Sequence, residues 1–544
     1  MTCSKLFSGD LPELVNEAIQ YFHYDYKTLH SCILVNRLWC RIAIPLLWED
    51  PFSMKFPKNY HFIEIYLHKL NDDYKIKLEE YLTQKDIFPS NTLFNYSNFI
   101  QRLNTSKVCS SVVKWVDTIG NSTKSNYFIQ NIKLSLSQKS NFTKLIYKSL
   151  FLIFIENEVN LNSFEITLHY YREHKYFNEI FELILQKPNF IYNIKNFRLD
   201  FYVKNDNIIK ILGCIHSNCN SISSLYFLFP SFNINYPIEK CLSQIINSQE
   251  NLKKISFSCN YSLSYHLLLN PNLSNKLNTI IFHFIDFKNI TVLSEVFNQL
   301  NVLESIHIIK CRSLDSNFIQ QINNITKPFK LKTLFLKEIL QDESLKFLIQ
   351  KSGNYLENFG SIGNSQSLKE IFELAIRYCN KIKLLQLFAG INNRNDINLG
   401  LNLIENIKQN LNYLFIRSFQ SENSSVILQN LGQILPFKLE YLYLQLIFDT
   451  NDLEMFLKNS QNSFINKLVI RNRVNKSSIV PYIKKYIMKE KRVKYLAILE
   501  TLIGKDEDLF SQKDEVEEFK LYDIQVLNYY DLFIDINNYV KEIE

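Results

Sequence analysis

A six-residue pattern recurs along most of the chain: an apolar residue, two variable residues, an apolar residue, one variable residue and an apolar residue. Clear copies read LKKISF from Leu252, LKTLFL from Leu331 and LEYLYL from Leu439. The last three positions alternate between apolar and variable, which predicts a short β-strand with one buried face. The copies start at Ile194, Ile222, Leu252, Leu277, Leu303, Leu331, Leu356, Ile382, Leu411, Leu439, Ile465 and Val493. Their mean spacing of about 27 residues indicates an array of short structural repeats.

Weaker copies extend the array at both ends, from Ile129 and Leu161 on one side and from Val516 on the other. Helical patterns lie between the copies, as in DESLKFLIQKS from Asp342 and SLKEIFELAIRYC from Ser367. A single strand of this kind cannot bury its apolar face, whereas stacked parallel strands can, and each return path then needs a helix. We therefore predict an α/β solenoid. An all-helical solenoid is the alternative, and the three-residue alternation argues against it.

The array resembles the leucine-rich-repeat family over about 390 of the 544 residues. The resemblance implies a horseshoe solenoid with parallel strands on the concave face and helices on the convex face. Strand positions outside the core then face the concave side, where aromatic and cationic side chains are typical of protein recognition. We predict a substrate-binding face in the later repeats that comprises Phe335, Lys337, Tyr413, Phe415, Arg417, Tyr441, Tyr443, Gln445, Lys467 and Arg471. The alternative is that these are ordinary solvated strand residues of an aromatic-rich chain.

The segment 11–52 precedes the repeats and has a different pattern. LPELVNEAIQYF predicts a helix that has Pro12 near its first turn and Leu14 and Ile19 on one apolar face. A second amphipathic helix is predicted through Leu29, Cys32, Ile33, Asn36, Trp39 and Cys40. Pro45 is expected to bend the chain after it. Three short helices in about 42 residues bury too small a core to be stable alone, so the segment docks on its own chain or on a partner.

Three motifs in this segment resemble the F-box family: LPEL at 11–14, LHSCILVNRLWC at 29–40 and IPLLWED at 44–50. The resemblance implies that the segment docks on the small Skp-type adaptor of a cullin-based ubiquitin ligase. It assigns the adaptor contact to Leu11, Pro12, Leu14, Ile19, Leu29, Cys32, Val35 and Trp39. The alternative is that some of these side chains hold the three helices together, and for Trp39 the two roles are equally open.

An F-box followed by leucine-rich repeats resembles members of expanded fungal F-box families. This organisation implies a substrate-recognition subunit that binds the Skp-type adaptor, and through it a cullin, while the repeats bind a protein substrate for ubiquitination. Such a subunit supplies geometry and no chemistry, so we expect no enzyme activity. The alternative is a leucine-rich-repeat scaffold whose F-box no longer engages a ligase. The expected domains are the F-box at 1–52, a helical linker at 53–125, irregular leucine-rich repeats at 126–526 and a C-terminal cap at 527–544.

Composition and charge argue against other classes of protein. The net charge of +7 is diffuse, whereas nucleic-acid binders concentrate basic residues in a stripe, so we expect no nucleic-acid partner. No apolar run approaches the length of a membrane span, and MTCSKLFSGD lacks the apolar core of a secretory signal. The ten cysteines include no Cys-x-x-Cys pair, which indicates reduced thiols. We therefore expect a chain without membrane contact that is cytoplasmic, nuclear or both.

The sequence points to neither catalytic nor metal chemistry. It contains no P-loop, no Gly-x-Gly-x-x-Gly and no His-Glu-x-x-His, so we expect no cofactor. His169 and His174 in HYYREH would lie on opposite faces of a strand. Cys214 and Cys219 flank His216, but no second ligand pair follows them. We therefore expect no metal site.

The C-terminal region changes the sign of its charge. KKYIMKEKRVK from Lys484 is basic, whereas KDEDLFSQKDEVEE from Lys505 is acidic. We predict local ion pairs in a solvated last repeat and cap, and a basic anchor for acidic partners is the less favoured alternative.

Overall fold

The structure is a computed structural model of the chain, and part of the chain is described. The described residues are 12–23, 25–54, 57, 59–81, 92–121, 135–202, 207–229, 236–259, 265–288, 290–336, 342–360, 368–387, 394–473, 478–488, 490–502 and 505–536. Within them the chain forms two compact units, Met1–Ile255 and Ser256–Glu544.

The first unit begins with helices and continues with alternating helices and strands. Its helices are α1 (Pro12–Gln20), α2 (Tyr26–Cys32), α3 (Arg37–Leu47), α4 (Phe62–Leu67), α5 (Asp72–Glu79), α6 (Thr105–Asn121), α7 (Leu136–Glu156), α8 (Tyr171–Gln186), α9 (Ile208–Asn218) and α10 (Tyr236–Ser248). Its strands are β1 (Arg102–Asn104), β2 (Ser163–Leu168), β3 (Asn196–Phe201) and β4 (Ser224–Phe229). β1 to β4 pair in chain order, and every pair is parallel. The strand β5 (Lys254–Cys259) starts in this unit and ends in the next.

The second unit continues the alternation. Its strands are β6 (Thr279–His283), β7 (Ser305–Ile309), β8 (Leu331–Phe335), β9 (Asn358–Gly360), β10 (Leu384–Leu387), β11 (Tyr413–Arg417), β12 (Lys438–Leu446), β13 (Phe464–Asn472), β14 (Val493–Leu502), β15 (Lys505–Asp508) and β16 (Gln525–Val526). Its helices are α11 (Leu293–Gln299), α12 (Ser316–Asn323), α13 (Asp342–Ser352), α14 (Leu368–Tyr378), α15 (Arg394–Ile407), α16 (Ser421–Ile434), α17 (Thr450–Asn459), α18 (Val480–Ile483), α19 (Lys513–Lys520) and α20 (Tyr529–Leu532). A π-helical turn, Lys484–Met488, follows α18.

Strands β6 to β14 pair in chain order and all run parallel. At the C-terminal edge β15 pairs antiparallel with β14, and β16 pairs parallel with β14. Parallel strands joined by helical return paths are the leucine-rich-repeat arrangement. The α/β prediction is therefore confirmed, and the all-helical alternative is wrong.

The copies of the six-residue pattern form these strands. The copy from Leu161 forms β2, the copy from Leu331 forms β8 and the copy from Leu439 forms β12. In register across β11 to β14, the inward residues are fully buried leucines, which are Leu414, Leu442, Leu468 and Leu496. Each leucine lies beside its counterpart on the neighbouring strand, so the alternating positions that predict a strand also form the core that the repeats share.

Two features at the ends of the array differ from the prediction. β1 lies inside the 53–125 region that was predicted to be a helical linker, so the sheet starts earlier than residue 126. The copy from Val516 is wrong, because Val516 and Phe519 lie three residues apart in helix α19 and not in a strand. The copy from Ile129 lies outside the described residues.

The N-terminal helices also break where one helix was predicted. α2 ends at Cys32, and α3 begins at Arg37. Asn36 ends the predicted run because its side-chain oxygen accepts a hydrogen bond from the Trp39 amide at 2.9 Å, which is an N-cap. Pro45 lies within α3, and the helix continues past it to Leu47.

Candidate functional site

The three N-terminal helices form a small apolar core. Its buried residues are Val15, Ile19, Leu29, Cys32, Trp39 and Ala43. Four of the residues assigned to adaptor contact, Ile19, Leu29, Cys32 and Trp39, therefore hold the helices together in this chain. Burial also raises the pKa of the Cys32 thiol, which keeps it a neutral packing group.

The other adaptor-contact residues lie on the surface of this segment. Pro12, Leu14 and Val35 are exposed, and Leu11 lies outside the described residues. Two further exposed apolar side chains, Tyr21 and Leu34, were missed by the sequence analysis. Leu34 is 76% exposed in the turn between α2 and α3. It was missed because one continuous helix was predicted through this turn.

Glu49 joins this segment to the first strand of the sheet. Its carboxylate is buried, with Oε1 2.8 Å from Arg102 Nε and Oε2 2.8 Å from His23 Nε2. The Glu49 carbonyl oxygen also accepts hydrogen bonds from the amides of Gln101 and Arg102, at 3.1 and 3.2 Å. Because Arg102 opens β1 and His23 follows α1, one buried residue ties the helices to the sheet.

Aromatic packing supports the same junction. The Trp48 ring, next to Glu49, lies 4.2 Å from the Tyr96 ring and 5.4 Å from the Tyr66 ring, centroid to centroid. Tyr66 is fully buried against Phe154 of α7, at 5.3 Å. The N-terminal helices are thus packed on the first repeat and not tethered by a loose linker.

A polar row crosses the outward face of the first four strands. In register, Asn104, Glu165, Arg198 and Tyr226 lie side by side on β1 to β4. Asn104 Nδ2 donates to Glu165 Oε2 at 2.7 Å. All four side chains are only partly buried, so the row is accessible to a partner. Burial raises the pKa of Tyr226 to about 12, which keeps its hydroxyl a proton donor at neutral pH.

A second polar group lies beside this row. His169 Nε2 and Arg198 Nη2 lie 3.3 and 3.4 Å from the two carboxylate oxygens of the buried Asp200. The sequence singled out His169 only as a candidate metal ligand, and the predicted binding face did not include Arg198 or Asp200 because it was confined to the later repeats. The signal that could have found them is the presence of charged residues at outward strand positions, as in FRLDF and FEITL.

The predicted substrate face in the second unit is mostly buried. Phe335, Phe415, Tyr441 and Tyr443, which we call the aromatic strand face, are at most 3% exposed. Gln445 is also buried, whereas Tyr413, Arg417, Lys467 and Arg471 are partly buried. Lys337 lies outside the described residues. The aromatic strand face is therefore neither the open substrate-binding surface that was predicted nor the row of solvated residues that was the alternative.

The covering element is the C-terminal stretch 525–536, which we call the strap. One apolar cluster joins strands and strap, with Ile281, Ile309, Phe335, Leu384, Phe415, Tyr441, Tyr443, Val469, Ala497 and Leu499 from the strands and Tyr529, Leu532 and Ile536 from the strap. The region expected to cap the end of the array thus lies on the strand face instead. Contacts between residues about 90 positions apart leave no local sequence signal, so the pattern could not reveal this packing.

The predicted C-terminal ion pairs are confirmed. Lys484 pairs with Glu515 and with Glu518, and Lys491 Nζ lies 2.6 Å from Asp523 Oδ2. These pairs join the basic run after α18 to the acidic helix α19 and the turn that follows it. They therefore help to fix the chain that leads into the strap.

Metal ligands, reactive thiols and membrane-spanning helices are the other features to consider in the described residues. Within them, no group of three His, Cys, Asp or Glu side chains is placed to hold a metal ion. The prediction that His169 and His174 lie on one strand is wrong, because His169 follows β2 and His174 lies in α8. Burial raises the pKa of the Cys219 and Cys379 thiols to about 12, so neither is a thiolate nucleophile at neutral pH. Over the same ranges, no helix is long and apolar enough to cross a membrane.

Comparisons with known proteins assign the chain to no family. No protein-family model matches the chain, and the search of curated proteins found no match. Among solved structures, the chain is similar to the leucine-rich repeat-containing protein LegL7 from Legionella pneumophila, with 11% sequence identity and a TM-score of 0.28. The match covers 59% of this chain and 89% of that chain. The function of the chain is therefore inferred from its own residues and contacts.

Proposed function

We propose that the chain is the substrate-recognition subunit of a Skp–cullin–F-box ubiquitin ligase. The N-terminal helices dock on the Skp-type adaptor, and outward strand positions of the repeats bind a protein substrate. The chain itself supplies position and selectivity, while the transfer chemistry belongs to other subunits. The proposal starts from the F-box resemblance of the segment 11–52.

The observation that carries the proposal is the apolar surface of the N-terminal helices. Leu14 lies on α1, and Leu34 and Val35 lie in the turn before α3, and all three side chains are exposed although the segment has its own apolar core. Exposed aliphatic side chains on a compact helical segment are typical of a protein docking surface.

A ligase adaptor also needs a fixed geometry between its two binding ends. The Glu49 contacts to His23 and Arg102, together with the packing of Trp48, fix the helices on the first repeat. A substrate bound on the neighbouring strands is then held at a set distance and orientation from the docking surface.

The polar row on β1 to β4 is the part of the strand face that supports substrate binding in this proposal. Glu165, Arg198 and Tyr226 offer an acceptor, a cation and a donor at adjacent positions of the sheet. Arg and Tyr are enriched among the residues that dominate binding energy in interfaces. Such a row favours a polar, hydrogen-bonding substrate segment over an apolar one.

A leucine-rich-repeat scaffold without ligase engagement is the second candidate. The observation that favours it is the burial of Ile19, Leu29, Cys32 and Trp39, because these four motif residues are already used inside the chain. In this case the N-terminal helices serve as a cap for the first repeat.

Binding of the purified full-length chain to a recombinant Skp-type adaptor separates the two candidates. The test variant is Leu34→Glu/Val35→Glu, and the matched control is Leu521→Glu, whose side chain is 81% exposed and lies far along the chain. We expect a complex with the wild type and the control, and at least about 30-fold weaker binding of the double variant, which is the effect of losing a hot spot. A folded wild type that binds no adaptor refutes the ligase role and leaves the scaffold. Equal binding by all three proteins places the contact elsewhere and refutes the assigned surface.

A further inference from the structure

The strap packs on the aromatic strand face through ring contacts. The Phe533 ring lies 5.3 Å from the Tyr443 ring and is stacked on the Tyr529 ring at 5.9 Å, centroid to centroid. Tyr443 in turn lies 5.9 Å from Phe415. The strap thus presents two aromatic rings, four residues apart, to an aromatic surface built by β11 and β12.

The Tyr441 hydroxyl contacts the main chain of the strap at two places. It donates to the Leu532 carbonyl oxygen at 3.3 Å and accepts from the Ile534 amide at 3.1 Å. Burial raises the pKa of this phenol, so it stays protonated and keeps both contacts. A hydroxyl that binds main-chain groups recognises the backbone of a bound segment whatever the side chains at those two positions.

One position of the strap is recognised through its side chain. The Tyr529 hydroxyl lies 2.9 Å from the Tyr443 hydroxyl, which also donates to Gln445 Oε1 at 3.0 Å. Because Tyr443 has a single hydroxyl proton, Tyr529 is the donor between them. The Arg471 guanidinium lies over the Tyr529 ring at 5.9 Å, and Asp508 Oδ2 accepts from the Tyr529 amide at 2.9 Å. The site therefore selects a tyrosine at this position.

The strap makes short stretches of main-chain pairing with the sheet. It joins the sheet through β16, where Gln525 and Val526 pair with β14, and through the Leu527 amide. It then makes one helical turn, α20. After that turn the Phe533 amide bonds to the Tyr529 carbonyl oxygen, and the Ile534 amide bonds to the Tyr441 hydroxyl. Segments with so little ladder pairing open at a lower cost than the sheet that carries them.

We propose that the aromatic strand face is a peptide-binding groove that the strap occupies until a partner displaces it. The partner is a protein segment with the pattern Tyr-x-x-Leu-Phe-x-x-Ile, which forms one helical turn and then extends, as Tyr529, Leu532, Phe533 and Ile536 do. The strap shows which chemistry fits, because its contacts need a tyrosine hydroxyl, a second ring and two main-chain groups. This inference concerns the second unit and holds whether or not the N-terminal helices dock on an adaptor.

The test uses full-length protein and a labelled peptide with the sequence of residues 525–536. Leu532→Ser/Phe533→Ser opens the strap, and Tyr530→Ser is the matched control, since that ring is 65% exposed beside the strap contacts. A groove that is covered almost all the time binds a competitor far more weakly than an open one. We expect the opened variant to bind the peptide at least about tenfold more tightly than the wild type and the control, a difference set by the closed fraction.

One further protein variant and one altered peptide test where the peptide binds. Adding Tyr441→Phe to the opened variant should weaken peptide binding by about fivefold to thirtyfold, because two main-chain contacts are lost. A peptide with alanine at the positions of Tyr529 and Phe533 should not bind. Equal binding to the wild type and the opened variant overturns the proposal, and so does an opened variant that retains the circular dichroism of the wild type and binds no peptide.

Hydrogen exchange of the wild type covers the case in which the opened variant does not fold. We expect the Phe533 and Ile534 amides to exchange through local opening, faster than the amides of β12. If they exchange only together with β12, the strap is a permanent part of the core and the proposal is wrong. Adaptor binding by the same proteins is a separate readout, so failure of the groove is distinguishable from failure of the ligase role.

Discussion

Removing one hydroxyl group from the aromatic strand face should loosen the strap and nothing else. Tyr441→Phe keeps the ring, which lies 5.0 Å from the Phe415 ring and is fully buried. It deletes the oxygen atom that joins Tyr441 to the Leu532 carbonyl and the Ile534 amide. The variant therefore separates the polar contact from the apolar packing around it.

The expected size follows from the two lost contacts. A hydrogen bond between neutral groups contributes about 0.5–1.5 kcal/mol net, and a buried group left without its partner costs more. Leu532 is buried, so its carbonyl loses its contact without replacement by water, whereas Ile534 is only partly buried and water can replace the hydroxyl there. We therefore expect closure of the strap to weaken by about 1–2 kcal/mol, which is a factor of about 5–30 in the open population.

Native-state hydrogen exchange is the assay. The Ile534 amide should exchange about 5–30 times faster in Tyr441→Phe, and the amides of β13 should keep their wild-type rates. Tyr495→Phe is the matched control, because its ring is half-buried against the same cluster. An unchanged rate at Ile534, or a rise of equal size throughout the second unit, would refute the reasoning.

Three further predictions concern the rest of the chain. Glu49→Ala removes the carboxylate that contacts both His23 and the partly exposed Arg102. This change should lower the free energy of unfolding, measured by urea titration, by about 1–2 kcal/mol. An unchanged urea midpoint would show that these contacts do not stabilise the chain. Burial raises the pKa of Glu500, so the stability that this residue contributes is full below its ordinary pKa of 4.5 and is lost as the pH rises through the raised value. Glu500→Gln should therefore gain stability relative to the wild type as the pH rises from 5 to 8. A difference between the two proteins in thermal melts that does not depend on pH would contradict this. In Gly432→Ala the new Cβ would lie 2.7 Å from the Phe456 carbonyl oxygen, so calorimetry should show a destabilisation of about 1–3 kcal/mol, and a neutral result would mean that α16 and α17 can move apart.

The strands were predictable because their signal is local. In IKNFRL or LEYLYL, three alternating positions determine which side chains face the core, and stacking at a regular spacing follows from the need to bury them. Because the signal is local, it also led to two wrong predictions, the helix across Asn36 and the strand from Val516. The N-cap role of Asn36 outweighs the apolar spacing that continues across it, and the spacing of Val516 and Phe519 fits a helix as well as a strand.

The candidate sites were predictable only in part. The motifs identify the N-terminal helices, but whether Ile19 or Leu14 faces outward depends on how three helices pack, which spacing alone does not determine. The polar row needs the register of four strands to become visible. The strap depends on long-range contacts such as Tyr441 with Ile534, for which the sequence carries no periodic signal.

The most direct test of the ligase role is a hydrogen-exchange footprint of the full-length chain with and without a Skp-type adaptor. We predict slower exchange on adaptor binding in α1 and in the turn that carries Leu34 and Val35, with unchanged exchange in β11 to β13. Absence of a complex, or protection that is confined to the repeats, would refute the ligase role.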